Sequence, residues 1–142
     1  MPDGFDVDFS ELNTLAADLG RVPENVGPFL NSAVQFTSIK IKKGAARKVR
    51  NRKHFKKAAA AIDYDVKVFR GFGVSVIQSE IGYSKDRPVG ALGNLIEFGA
   101  PGGEPHALTP GNELQSTLQE EQADFVKGLE KALEDAEKKA GL

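Results

Sequence analysis

The 142-residue chain has no cysteine, no tryptophan and only two histidines, and each shortage narrows the range of functions. Without cysteine there is neither a disulfide framework nor thiolate chemistry, which fits a reducing cytosol. The missing tryptophan removes the side chain that most often anchors protein interfaces. His54 and His106 stand in polar or loop contexts, and no nucleophile, base and orienting group can be assembled around them.

Sequence signatures of catalysis are missing as well. The chain holds no HExxH, GxSxG or P-loop motif and no cluster of metal-ligand residues, so we expect no enzyme, no cofactor and no metal. Gly71-Phe72-Gly73 lacks the third glycine of a dinucleotide fingerprint and indicates a hairpin turn. Asp63 and Asp65 lie beside Lys67, which favours a solvated strand face over a catalytic carboxylate pair.

Membrane insertion is not expected either. No apolar run approaches the roughly 18 residues that cross a bilayer. The first residues, MPDGFDVDFSEL, are acidic and lack the basic and then apolar pattern of a signal peptide. The length and a 40% hydrophobic content fit one globular domain with a modest core.

Charge is present in balance but is segregated along the chain. The net charge is −1, whereas the middle is basic and the C-terminal segment is acidic. Ten of the 19 Lys and Arg residues fall in one short stretch: Lys40, Lys42, Lys43, Arg47, Lys48, Arg50, Arg52, Lys53, Lys56 and Lys57. The rest of the chain is organised around this stretch.

A long amphipathic helix is predicted over residues 25–61. Asn25 suits the N-cap. Pro28 then falls in the first turn, where the helix needs no backbone N–H as a donor. Gly44 indicates a kink or a close contact with a neighbouring element. Apolar or small residues recur every three or four positions and form the predicted core stripe: Val26, Leu30, Ala33, Val34, Thr37, Ile41, Ala45 and Val49.

Four cations of this helix are the candidate functional residues: Lys40, Lys43, Arg47 and Arg50 share a face that is not the apolar stripe. The face has two interpretations. In the first it has no partner outside the chain, because it is solvated or pairs with the acidic last helix. In the second it contacts phosphates or docks on an acidic surface of a neighbour. Because no base-reading pattern is interleaved, any phosphate contact is expected to be independent of nucleotide sequence.

The remaining segments predict a single α+β domain, with a long N-terminal helix and a C-terminal helix packed on a small antiparallel β-sheet. Residues 1–24 are expected to form an arm and a short helix, with Phe5–Phe9 extended or a strand and Ser10–Leu19 helical. Residues 62–83 alternate as a β-hairpin. Residues 84–110 contain a helix at Gly90–Phe98, with Leu92, Leu95, Ile96 and Phe98 inward, and then a Gly/Pro-rich loop. Residues 111–140 form the last helix.

This order of elements resembles the small neck, or tail-completion, proteins of tailed bacteriophages. That family typically carries a (V/I)EFG segment, a loop with proline and a helix that starts near a proline. The matching segments here are Leu95-Ile96-Glu97-Phe98-Gly99, Pro105 and Pro110-Gly111-Asn112-Glu113-Leu114. The resemblance covers about residues 25–140. Two departures are the basic run at 50–58, which lacks the family's PVxTGxLRxSI pattern, and the loop APGGEPHALTP in place of PFLRP.

The resemblance implies a structural virion protein and not an enzyme. Such proteins form homo-oligomeric rings, often hexamers, between the head connector and the tail proteins, and related tail terminators have a similar size and place. It implies assembly in the host cytoplasm and a location in the virion neck. We expect an interface loop at Glu97, Phe98, Gly99 and Pro105, and Lys40, Lys43, Arg47 and Arg50 facing genome DNA in the lumen or a partner. The alternative is a nucleic-acid-binding accessory protein without sequence specificity. A small hydrolase is disfavoured by the missing catalytic set.

Overall fold

A computed structural model describes residues 6–8, 14–18, 27–53, 55–71, 74–99 and 111–139. It confirms the α+β class, with a long N-terminal helix and a C-terminal helix. The elements in chain order are β1 (Asp6–Asp8), β2 (Thr14–Asp18), α1 (Gly27–Arg50), β3 (Ile62–Gly71), β4 (Val74–Tyr83), α2 (Gly93–Phe98) and α3 (Glu113–Lys139). Short 3-10 helices span Lys56–Ala61 and Gly90–Leu92.

The sheet has four antiparallel strands in the order β1-β2-β4-β3. The predicted hairpin of β3 and β4 is confirmed, and so is a strand within Phe5–Phe9. The helix predicted at Ser10–Leu19 is wrong, because Thr14–Asp18 forms β2 and pairs with β4. A ten-residue helix is marginal in water, whereas a strand on the open edge of β4 completes a ladder of backbone hydrogen bonds.

Helix α1 lies between the sheet and α3. On the sheet side, the Ser38 hydroxyl donates to the Ser79 hydroxyl of β4 at 2.6 Å, and both residues are fully buried. On the other side, Gly44 is packed so closely on α3 that a Cβ there would lie 2.9 Å from the Thr117 Cγ2. Gly44 therefore marks a close contact between helices, one of the two outcomes predicted for it.

The core lies on both sides of α1, where its buried residues meet the sheet and α3. Leu30, Val34, Ile41, Ala45 and Val49 of the predicted stripe are all buried. Ile77 and Ile81 of β4 and Phe125 and Leu129 of α3 complete the apolar interior. Asn25, Val26, Pro105, Thr109 and Pro110 lie outside the described residues.

The long helix is shorter than the predicted 25–61, since it ends at Arg50. Beyond Val49, the next positions of the stripe would be Arg52, Lys53 and Lys56, so another turn would bury no apolar surface. Phe55 then has a φ of 65°, a left-handed conformation that no helix continues through. The chain resumes as the 3-10 helix, which delivers it to β3.

Candidate interaction surfaces

Two of the cations on α1 are paired with α3. The Lys40 Nζ lies 2.7 Å from a carboxylate oxygen of Glu121 and 3.3 Å from one of Asp124. The hydrogen bond to Glu121, with help from Asp124, raises the pKa of Lys40 above its usual value. The Lys48 Nζ lies 2.7 Å from Glu120 and donates to the Ser116 hydroxyl at 3.0 Å. Part of the basic helix is therefore neutralised by the acidic helix of the same chain.

A second pairing joins α1 and the turn after β4 to the start of β3. The Lys42 Nζ lies 3.3 Å from one oxygen of Asp63, and the Arg87 guanidinium lies 2.8 Å from the other. The backbone N–H of Tyr64 also donates to Asp63 at 2.9 Å. This backbone hydrogen bond, followed by Lys42 and Arg87, holds the pKa of Asp63 below its usual value. The solvated-face interpretation of Asp63 is thus replaced by an ion-paired one.

A buried group of charges joins the end of α1 to the start of α3. Both oxygens of Glu97 accept backbone hydrogen bonds at the first turn of α3, from Leu114 at 2.9 Å and from Gln115 at 3.0 Å. Glu97 is 1% exposed. Burial raises the pKa of Glu97 although these two bonds oppose it. The Arg52 guanidinium pairs with Glu113, which is also buried.

Three of the predicted interface residues are within the described part of the chain, and they do not share one role. Glu97 is an interior cap for α3, so it cannot itself meet a neighbouring molecule in this fold. Gly99 has a φ of 71° and its N–H bonds to the Leu95 carbonyl, which ends α2. Phe98 is 46% exposed and remains a surface residue. Pro105 lies outside the described residues.

The inward face predicted for the 90–98 helix is only partly correct. Ile96 is fully buried, whereas Leu92, Leu95 and Phe98 are 41%, 38% and 46% exposed. The reason is geometric: these three residues recur every third position and lie together on one side of the short helical segment. The sequence pattern predicted an apolar side made of Leu92, Leu95 and Phe98, but the residues of the segment that are buried are Ile96 and Glu97. An exposed apolar patch results.

The four candidate cations divide into one that is paired within the chain and three that are exposed. Lys40 is turned toward α3, whereas Lys43, Arg47 and Arg50 are exposed and make no ion pair with the described residues. Lys53, Lys56 and Lys57 follow them, are exposed, and also make no ion pair there. We call these six residues the basic surface: Lys43, Arg47, Arg50, Lys53, Lys56 and Lys57. His54 and His106 lie outside the described part of the chain.

A second charged surface was missed at the level of sequence. Residues paired across a sheet share a face, and alternate residues of a strand lie on opposite faces. Ser79 contacts α1, so its neighbour Glu80 occupies the other face, with its register partners Asp65 and Thr14. By the same register, Asp63 and Lys67 of β3 occupy that face as well, and Asp63 is paired with Lys42 and Arg87. The remaining described charges of the face are Asp65, Lys67 and Glu80.

The charges of this face balance one another in part. The side chains of Asp65 and Glu80 are 70% and 54% exposed, and their carboxylates lie 4.0 Å and 3.7 Å from the Lys67 Nζ. Lys67 is the one basic residue at a register position of that face in the described strands. The strand β2 was signalled weakly in the sequence, since Thr14–Asp18 has no strict alternation.

Other chemistry is sparse in the residues that the structure covers. They contain no group of three or more His, Asp or Glu side chains that would hold a metal ion. None of the helices described is long and apolar enough to cross a membrane. No family model matches the chain, and neither a curated protein nor a solved structure matches it. What the protein does has to be inferred from its own surfaces and from the resemblance above.

Proposed function

We propose that the protein is a structural virion protein that forms a ring in the neck of a tailed bacteriophage and joins the head connector to the tail tube. The observation that carries the proposal is the joint between α2 and α3. The resemblance involves the segments at 95–99 and 110–114, and Glu97 of the first caps the helix that begins in the second. The N–H groups of Gly111 and Asn112 also bond to the Ile96 and Glu97 carbonyls. The two segments therefore form one structural unit.

The exposed apolar patch supports a subunit contact. Leu92, Leu95 and Phe98 present apolar side chains to solvent next to this joint. Contiguous exposed apolar residues are usually covered by a partner in a soluble protein. A ring gives every copy the same cover, because each subunit presents one surface to the subunit before it and another to the subunit after it.

The outer edge of β3 supports the same conclusion. Among the described strands, β3 pairs with β4 alone, so alternate residues along its ten-residue length direct their backbone N–H and C=O groups to the outer edge. Val68 and Phe69, near the end of this strand, are 45% and 53% exposed. An edge of this length is a template for pairing with another chain.

The proposed role is architectural and needs no catalytic group, cofactor or metal. Its partners are other copies of the chain, the head connector and the tail proteins. A reproducible turnover that His54→Ala or His106→Ala abolished would contradict this part of the proposal. His54 and His106 are the only histidines in the chain and so the only imidazole bases available.

Ring formation is tested first with the purified protein. Size-exclusion chromatography with light scattering should give a closed oligomer of the 15.3-kDa chain, and electron microscopy should show rings. Leu95→Asp and Phe98→Asp should break the ring while the circular dichroism spectrum is unchanged. Ala123→Asp is the control, because Ala123 is a small exposed residue of α3 and receives the same charge. A monomer at every concentration would contradict the ring.

The place in the virion is tested separately. Antibody labelling of purified tailed particles should mark the junction of head and tail. Removal of the gene should yield filled heads and separate tails in the same lysate. Intact, infectious particles without the protein would overturn the neck assignment even if the purified protein forms rings.

A further inference from the structure

The basic surface lies in a segment of the chain that contains no carboxylate. Between Glu24 and Asp63 the sequence has ten Lys and Arg residues and neither Asp nor Glu. The described carboxylates that form ion pairs with this segment all meet the four cations outside the basic surface, namely Lys40, Lys42, Lys48 and Arg52. The six cations of the basic surface therefore keep their full charge toward a second molecule.

These six cations follow one another closely enough to contact neighbouring phosphates of one nucleic acid. Lys43, Arg47 and Arg50 lie within about 60° of one another around α1 and extend over about 10 Å of its length. Lys53 and Lys56 follow at intervals of three residues, so each Cα lies at most about 11 Å from that of the cation before it. A duplex carries about six phosphates over 10 Å of its axis. The density of positive charge suits a polyanion.

The small apolar content of the basic surface indicates which kind of acidic partner fits it. Among the described residues from 43 to 57, Phe55 is the one large apolar side chain that is exposed. A protein interface has a largely apolar core, and adhesion to a membrane uses apolar side chains that insert into it. A nucleic-acid backbone needs only positive charge, because binding is driven by the release of its counterions.

The net charge of −1 does not oppose such a partner. Attraction between exposed charges decays within about 8 Å at physiological ionic strength. A bound phosphate therefore meets the local charge, and at residues 43–57 the exposed charge is positive.

We propose that the basic surface binds the phosphate backbone of a nucleic acid without reading its sequence, and that the Phe55 ring stacks on an unpaired base. Compared with the basic face predicted from sequence, the site omits Lys40 and gains the three lysines that follow α1: Lys53, Lys56 and Lys57. One copy of the chain carries the whole surface. Binding is therefore independent of ring formation and goes beyond the proposed role in the neck.

Phe55 is the one aromatic residue of this site in the described chain. It is 36% exposed, and its backbone is left-handed with a φ of 65°. A bulky residue in this conformation is strained, and such strain is concentrated at functional sites. Proteins that bind single strands combine cations along the backbone with aromatic rings on which bases stack. Because the bases of a duplex are already stacked on one another, the Phe55 ring should add affinity for a single strand only.

The cations are tested by neutralising three of them: Lys43→Gln, Arg47→Gln and Arg50→Gln. Fluorescence anisotropy measures binding to a short labelled single strand and to the duplex of the same sequence over a range of salt concentrations. The natural protein should bind both probes, and equally well when their sequence is scrambled. The triple variant should bind both roughly tenfold to hundredfold more weakly at physiological salt, and the slope of log K against log salt should fall by about two to three.

A matched control removes the same charge from α3, where the cations are interleaved with carboxylates: Lys127→Gln, Lys131→Gln and Lys138→Gln. It should bind both probes like the natural protein. Circular dichroism and thermal melting first show that each variant folds. Light scattering shows that each has the same state of association as the natural protein, so that avidity does not differ between them.

The Phe55 ring is tested with two substitutions of similar size. Phe55→Leu keeps an apolar side chain without an aromatic face, and Phe55→Tyr keeps the face. Phe55→Leu should weaken binding of the single strand by at least about fivefold and leave duplex binding unchanged, whereas Phe55→Tyr should bind both probes like the natural protein. Equal binding of the single strand by Phe55→Leu and the natural protein would contradict the stacking role.

The results distinguish the nucleic-acid site from the ring. Rings that bind neither probe at low salt would overturn the site and leave the ring intact. A monomer that binds the probes through the three cations would support the site and contradict the ring. An equal loss of binding in the α3 control would overturn the site, because only net charge would then matter. Tighter binding of polyglutamate or of phosphatidylserine vesicles than of the probes, at equal concentration of charge, would overturn it in favour of an acidic protein or a membrane.

Discussion

Four cations of α1 fall into two groups, those that pair with α3 and those that do not. Lys40 and Lys48 meet carboxylates of α3, whereas Lys43 and Arg47, which lie between them, meet none in the described chain. A shift of three residues rotates a position by about 60° on a helix, which separates Lys43 from Lys40. Arg47 lies within about 20° of Lys40 but about two turns further along α1, so the position along the helix axis decides its pairing as well. The density of charge along the sequence does not distinguish the two groups of cations, whereas the position of α3 beside α1 does.

The comparison predicts its largest effect where a charge is buried. Glu97→Ala should lower the free energy of unfolding by about 2–4 kcal/mol, because two hydrogen bonds to a buried carboxylate and its packing are lost. Glu134→Ala on the exposed side of α3 is the control and should change it by at most about 0.5 kcal/mol. Chemical denaturation measures both values. Equal values would show that Glu97 does not hold the start of α3.

Arg52 and Arg50 provide the sharpest form of the comparison. They are two residues apart, yet Arg52 is paired with the buried Glu113 and Arg50 is exposed and makes no ion pair with the described residues. Arg52→Ala should cost about 2–3 kcal/mol, because it leaves Glu113 buried without its partner. Arg50→Ala removes an exposed side chain and should stay within about 0.5 kcal/mol. Stability losses of equal size at both positions would erase the distinction.

Much of this arrangement was predictable from sequence, and the failures have physical causes. The stripe from Leu30 to Val49 predicted the buried side of α1, because its spacing is long and regular. Pairing of the basic helix with the acidic last helix was among the alternatives, and Lys40 and Lys48 follow it. A helical wheel could not decide between the alternatives at Lys40, since it places residues relative to one axis and contains no information on where α3 lies.

The strand β2 could not be predicted, because it depends on a pairing distant in sequence. Thr14 and Glu80 are register partners in the alignment of β2 with β4. Short segments such as 14–18 have weak intrinsic preferences, and tertiary contacts decide between helix and strand. Glu97 was expected as an interface residue, whereas the structure buries it as a cap for the start of α3.

Two carboxylates should give opposite dependence of stability on pH. The pKa of Glu97 is raised by burial, so its contribution to stability is complete below its ordinary value of 4.5 and is lost as the pH rises through the raised pKa. The advantage of the natural protein over Glu97→Gln should therefore shrink from pH 4.5 to pH 7. Denaturation in urea at a series of pH values measures it.

Asp63 is the opposite case in the same measurement. Its pKa is lowered, so its contribution is present above its ordinary value of 3.8 and is lost as the pH falls through the lowered pKa. The advantage of the natural protein over Asp63→Asn should grow as the pH rises through that acidic range. Slopes of the same sign for the two variants would contradict the assignment of burial to one carboxylate and of backbone and cation contacts to the other.

The smallest expected effect is the coupling free energy between Lys48 and Glu120. Its size shows how much this ion pair contributes to stability. A double-mutant cycle with Lys48→Ala and Glu120→Ala should give a coupling of about 0.5 kcal/mol or less, because Glu120 is 61% exposed and water screens the interaction. The coupling should fall further in molar salt. A coupling above about 2 kcal/mol would mean that the α1–α3 contact depends on charge. The expected small value means that packing around Gly44 and Thr117 holds the helices together. The acidic residues of α3 then serve chiefly to pair Lys40 and Lys48, which leaves Lys43, Arg47 and Arg50 as the cations of α1 that make no ion pair with the described residues.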